Sequence, residues 1–136
     1  MADLLVTAAN VDRSGSGAEA KFIAGETITA GQALYQNATD KKAYKAQNDG
    51  TAAQAKSVGI ALDGASALQP VVVITAGELD AGATLVVGET YVVSSTFGGI
   101  APIADLAATN FVTHLGVASA ANKLIVKINA TGVAHA

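Results

Sequence analysis

The chain has 136 residues and a net charge of −3, with 8 basic and 11 acidic side chains dispersed along it and no cysteine. That is the length of one domain, without disulfides or thiolate metal ligands, and without the basic cluster of a nucleic-acid binder. Charged residues make up only 14%, against about 25% in an average protein, and the mean hydropathy is +0.41. A surface so poor in charge suits contact with other protein, and it equally suits a plain small-residue β protein.

No apolar run approaches the roughly 20 residues of a membrane span. The start, Met1-Ala2-Asp3-Leu4-Leu5-Val6, carries an acid where a signal peptide needs bases. Residues 1–20 read as an N-terminal arm. Leu4-Leu5-Val6 is a short apolar patch, and Ser14-Gly15-Ser16-Gly17 sits in a polar stretch that favours a mobile or extended segment. Gly15-x-Gly17-x-x-Ala20 fits a loose dinucleotide fingerprint, but no strand and following helix surround it.

Residues 21–136 read as a β domain. Ala33–Gln36 and Lys42–Ala46 form a hairpin around the loop Asn37–Asp40. Thr51–Lys56 is the one helix-like piece, of one or two turns. Ser57–Leu62 is a strand, Asp63-Gly64 a turn, and Val71-Val72-Val73-Ile74 a strand buried on both faces behind Pro70. Residues 77–82 lead onward to Thr84–Val87 and Tyr91–Ser94, which flank Gly88-Glu89. Ile100–Ile103 closes a second hairpin after Phe97-Gly98-Gly99, and Phe111–Ala118 and Lys123–Asn129 finish the sheet.

Two stretches organise this string. Ala24-Gly25-Glu26-Thr27 and Gly31 return 57 residues later as Ala81-Gly82-Ala83-Thr84 and Gly88, and Val58-Gly59-Ile60-Ala61 falls on Leu115-Gly116-Val117-Ala118 at the same offset. The expected fold is therefore all-β, a small sandwich or barrel of short strands with two pseudo-repeated halves, 24–61 matching 81–118, and an extended arm. The expected core contains Leu34, Tyr35, Ile60, Val72, Ile74, Leu85, Val92, Val117, Leu124 and Val126.

Convergent titratable groups, the mark of catalysis, do not stand out. His114 lies in a strand among apolar neighbours and His135 is next to the C-terminus; the pair is a poor metal set. Asp40, Asp49, Asp63, Asp80 and Asp105 fall in expected loops, where turn chemistry accounts for them. No catalytic, cofactor or metal residue is assigned. Lys41, Lys42 and Lys45 form the one basic cluster, read either as a solvated hairpin tip or as a contact for an acidic partner. Leu4, Leu5 and Val6 are the candidate apolar anchor.

Ala24–Tyr35, Val58–Leu62, Gly98–Leu106 and Ile128–Ala134 together resemble a group of small structural proteins of tailed bacteriophages, best understood as decoration, or cement, of the capsid. The resemblance spans about residues 21 to 134, and its motifs are scaffold glycines. It implies a non-enzymatic virion protein, made in the bacterial host cytoplasm and placed on the outer capsid surface. Its partners would be the major capsid protein and its own copies, as a homotrimer, with no nucleic acid, membrane or cofactor. A head-fibre or tail-associated adhesion module is the alternative; it calls for exposed aromatics in one loop, where only Phe97 offers itself.

Overall fold

The computed structural model describes residue 4 and residues 6–134, the side chains of residue 8 and residues 13–16 excepted. The described chain is all-β. Its strands are β1 (Val11–Ile23), β2 (Ala33–Gln36), β3 (Ala43–Lys45), β4 (Gly59–Ala61), β5 (Pro70–Ala81), β6 (Thr90–Val93), β7 (Ile100–Pro102), β8 (Phe111–Ala120) and β9 (Lys123–Ala134). They form one antiparallel sheet in the order β3-β2-β4-β5-β9-β8-β6-β7, with β1 added on β5, and the sheet curls into a half-barrel. One helical turn, α1 (Ala52–Ala55), starts at Thr51, whose hydroxyl accepts from Gln54 N–H while the Gln54 side chain accepts from Thr51 N–H.

The ladder registers repeat along the sheet. Tyr35 faces Tyr44 in β2–β3, and Val92 faces Ala101 in β6–β7. Ala33 faces Ile60 in β2–β4, and Thr90 faces Val117 in β6–β8. Each residue of the second pair stands 57 positions after its counterpart in the first. The return strands follow suit at an offset of 51, because the β8–β9 turn is shorter than the β4–β5 loop: Ile60 faces Ile74, and Val117 faces Ile125. Four strands, β2 to β5, thus form one unit, and β6 to β9 another with the same strand order and register.

Several expectations need correction. Residues 11–20 are not an arm: β1 runs from Val11 opposite Ala81 to Ile23 opposite Pro70, interrupted by bulges. The Ser/Gly composition around residues 14–17 has low strand propensity, but pairing along β5 supplies what propensity lacks. Residues 77–81 are not a link either. They continue β5, pairing with Val126 to Lys123 of β9, so Asp80 lies in a strand rather than a loop. Thr84–Val87 is not a strand; Leu85 is buried there while Val86 and Val87 are exposed.

Two apolar clusters explain the packing. The first unit's own core holds Ala24, Ile28, Leu34, Ala43, Ala61 and Val73. Their register counterparts Ala81, Leu85, Tyr91, Ile100, Ala118 and Leu124 all lie in the second, larger cluster. That larger cluster also takes Ala33, Ala46, Ile60 and Ile74 from the opposite face of the first unit's strands. The units therefore stack back to front: the back of the first closes the core of the second. Hence β5 is covered on both faces at Val73 and Ile74, one turned to each cluster, although Val72 is half-buried. Tyr35 is also half-buried, and Val117 is not a core residue at all, being 44% exposed.

Gly59 and Gly116, 57 positions apart, serve one purpose. A Cβ on Gly59 would lie 2.6 Å from the Ile74 carbonyl oxygen, and one on Gly116 would overlap the Ile125 carbonyl oxygen. Only glycine lets the return strand approach so closely.

Ile60 and Val117 make a controlled comparison, because they hold the same register position under different cover. Ile60→Ala should cost about 2–5 kcal/mol, whereas Val117→Ala should stay within roughly 1 kcal/mol. Denaturant unfolding of the two variants checks this; equal losses would mean that the back-to-front stacking is misassigned.

Candidate interaction surface

The back of the second unit is where that stacking stops. Thr90, Ile103, Val117 and Ile125 are the register counterparts of Ala33, Ala46, Ile60 and Ile74. The first-unit set is fully buried, at 0% exposure for all four. In the second unit Ile103, Val117 and Ile125 are 37%, 44% and 39% exposed and line an open groove of about 610 Å3. Thr90, Val117, Ile125 and Glu78 stand opposite one another across β6, β8, β9 and β5, which puts one row of side chains on one face. On β9, Lys123 and Lys127 flank Ile125 on that face. The Lys123 ammonium is 3.6 Å from Glu78, so the aliphatic centre has a charged rim.

His114 lines this groove, half-buried, with Asn129 opposite it on β9. A metal or base needs further titratable groups around it. Among the described residues no three His, Cys, Asp or Glu side chains gather closely enough to hold an ion. His135 lies outside the described residues. Three of the aspartates accept hydrogen bonds from within the chain. Asp63 Oδ1 accepts from Val72 N–H at 3.1 Å, Asp80 Oδ1 from Gly82 N–H at 3.2 Å, and Asp49 from the Asn110 amide at 3.4 Å.

The expected N-terminal anchor is spent within the chain. Leu4 N–H donates to the Ile100 carbonyl at 2.8 Å and Thr7 N–H to the Gly82 carbonyl at 2.7 Å. Leu4 and Val6 pack on the larger core cluster, with Val6 against Gly31 so tightly that a Cβ there would sit 2.5 Å from Val6 Cγ1. In the first unit Gly25 N–H bonds the Ala43 carbonyl directly at 2.8 Å. In the second, Leu4 bonds Ile100 and Thr7 bonds Gly82, the two counterparts. Leu4, Val6 and Thr7 thus pack and bond within the chain's own fold. Leu5 lies outside the described residues.

The three lysines do not act together. Lys45 is held by Glu26, which accepts from its N–H at 2.9 Å and lies 3.9 Å from its ammonium. Lys41 and Lys42 remain on the hairpin turn, Lys41 at a left-handed φ of 62°. Asp40 organises that turn. The Tyr44 hydroxyl donates to it at 2.6 Å and Lys42 N–H at 3.0 Å, and these bonds hold its carboxyl below the ordinary 3.8, while the same contact raises Tyr44 above its ordinary 10.0. Tyr35 stacks obliquely on Tyr44, ring centres 6.1 Å apart.

Phe97, on the β6–β7 turn, is 51% exposed, and no other described aromatic residue is exposed. No family model and no curated protein matches the chain.

Sequence reasoning missed the groove for one reason. It placed Val117 inside, since alternation tells which residues share a face and not which face is covered. The counterpart set at the two offsets was the signal that could have found it.

Two measurements follow from this geometry. Removing residues 1–7 should destabilise the protein by about 2–4 kcal/mol, through lost apolar burial and two lost main-chain bonds; an unchanged denaturant midpoint would return the segment to the status of a loose tail. Because Asp40 favours its charged form in the folded state, its contribution is present above the ordinary carboxylate pKa and fades as pH falls through the lower folded value. In Tyr44→Phe the Asp40 carboxyl pKa, read by NMR titration, should rise toward its ordinary value; no rise would rule out the hydroxyl as the cause.

Proposed function

We propose that the protein is a non-enzymatic structural protein that docks on a larger protein assembly through the back of its second four-strand unit. The observation that carries this reading is the contrast between the two register-equivalent apolar sets. One is sealed against the chain's own core. The other keeps the same aliphatic character, with Ile103, Val117 and Ile125 open to solvent. A face patterned for β-on-β packing and left uncovered favours a protein partner. The same reading takes the two units as copies of one β unit, on their shared registers.

The resemblance to tailed-phage decoration proteins supports one assembly: the outer surface of a phage head built by the major capsid protein, with the decorating protein made in the bacterial host cytoplasm. It also implies a homotrimer. Cement acts by spanning subunits that would separate under internal pressure, and a trimer does so with modest contacts, because linked sites gain from effective concentration. The low charge content supports broad protein contact. Among the described residues no helix is long and apolar enough to cross a membrane. The alternative, an adhesion module of a head fibre or tail, has the exposed Phe97 in its favour, with no second exposed aromatic beside it.

The test is Val117→Lys combined with Ile125→Lys, both at exposed positions. Burying such an aliphatic side chain is worth about 1.5–3 kcal/mol, and about 1.4 kcal/mol is tenfold in affinity. The double variant should keep its unfolding midpoint and its oligomer size, and should bind undecorated capsids at least about tenfold more weakly. Undiminished capsid binding would overturn the docking face. Failure of the unaltered protein to bind capsids at all would remove the cement reading and favour adhesion.

A further inference from the structure

A second exposed apolar site lies at the other end of β5 from the groove. The β4–β5 loop, residues 62–69, is the one whose extra length sets the two offsets, 57 and 51, apart. It is firmly built. Ile28 and Ala65 exchange main-chain bonds at 2.8 and 2.9 Å, and Ala65 is buried in the first unit's cluster. Leu68 N–H donates to the Ala24 carbonyl at 2.7 Å, and Ala24 N–H to the Gln69 carbonyl at 2.8 Å. Within the loop Gln69 N–H closes a turn on the Ser66 carbonyl at 3.0 Å, and the Gln69 side chain accepts from Ser66 N–H, also at 3.0 Å.

Leu68 is the third residue of that turn and stands at φ 72°. Turns give such a position to glycine or asparagine, because a Cβ in the left-handed region crowds the following carbonyl oxygen. The fold does not use the side chain in return: Leu68 is 67% exposed and belongs to neither core cluster. Strain kept where the fold gains nothing calls for a use outside the fold. Ile23, the last residue of β1, stands opposite Pro70, the first of β5. The same end of the β1–β5 pair therefore also shows Ile23, 43% exposed, and an exposed Pro70.

Charge decides what suits this tip. No acidic or basic residue occurs from Gly64 to Gly77. At its border stand charges of both signs, on either side of Val72: Lys21 faces Val72 from β1, and Asp63 accepts from its N–H. A contact between copies about a rotation axis brings the residues beside the axis toward their own counterparts. A like charge there would repel. A neutral apolar centre with both signs at its border is complementary to itself.

We infer that this tip, with Leu68 at its centre, is where copies of the chain meet one another; the inference rests on the homo-oligomer put forward above and names its contact. The closed turn presents the leucine in a fixed direction, which limits the ordering cost of burying it. The groove stays free for the larger assembly, since Glu78, at the groove's edge, is about 26 Å of strand away from Pro70 along β5.

The experiment follows the purified full chain by sedimentation velocity from micromolar to millimolar concentration, beside Leu68→Gly, Leu68→Lys and Leu68→Glu. The unaltered protein should associate, and Leu68→Gly should do so at least about tenfold more weakly. In dilute solution Leu68→Gly should keep or raise the thermal midpoint, because glycine accepts the left-handed turn; a leucine that served only the fold would lower it on removal. Leu68→Lys and Leu68→Glu should each stay dissociated, and an equal mixture of the two should associate more strongly than either alone, since opposite charges then meet. An unaltered protein that is monomeric at every concentration, a Leu68→Gly protein that associates undiminished, or a mixture no better than its components would overturn the contact. None of these measurements involves capsids, so the docking face stands or falls separately, with its own double variant.

Discussion

The structure depends on one seating: Ala33, Ala46, Ile60 and Ile74 against the core of the second unit. Each unit curls its strands over a small cluster, but the clusters differ in how they are closed. The first is roofed from its own neighbourhood, with Ala20 and Phe22 of β1 packed on the cluster that holds Ala24, Ile28 and Val73. The second is roofed by the first unit's back. Two buried isoleucines alone contribute about 3–6 kcal/mol at that junction, a large share of the 5–15 kcal/mol that a domain retains after its entropy losses. The joint between units is therefore also part of a core, and the chain behaves as one domain rather than two beads.

That asymmetry accounts for where the sequence departs from its own pattern. The junction positions Ala33 and Ala46 are small, which lets the backbones come close. Their counterparts Thr90 and Ile103 are larger, and one is polar, at a surface with no such approach to accommodate. Gly59 and Gly116, by contrast, are held by the same strand contact in both units, and there the residue is the same. Identity tracks shared backbone demands, and divergence tracks different cover.

Much of this was legible in the residues. The hairpins, the one-turn helix at Thr51 and the branched run of β5 read correctly, and the ladder registers of β2, β3 and β4 recur in β6, β7 and β8 at the glycine offset. Legibility failed where a property belongs to the assembled sheet. Gly15 and Gly17 argue for a loose segment until β5 lies alongside. Glu78 and Asp80 look like a polar connection until β9 pairs with them. Leu4 and Val6 look like a spare anchor until Gly82 and Ile100 are seen to lack the direct bond that Gly25 makes to Ala43.

The pairing of β1 with β5 bears on the order in which the chain takes shape. Ile23 meets Pro70 and Val11 meets Ala81, so β1 leaves the ribosome without a partner until residues 24–69 have followed it and β5 begins to emerge. Strands β2, β3 and β4 meanwhile find one another over short separations, and β5 closes them as soon as it emerges. Non-local pairings of this kind are slow to form, because the loop must close before the contacts reward it. The polar, glycine-bearing makeup of β1 then has a use in synthesis: a waiting strand that is weakly sticky by itself is less exposed to wrong pairings. The same composition that disguises β1 as a tail lets it wait.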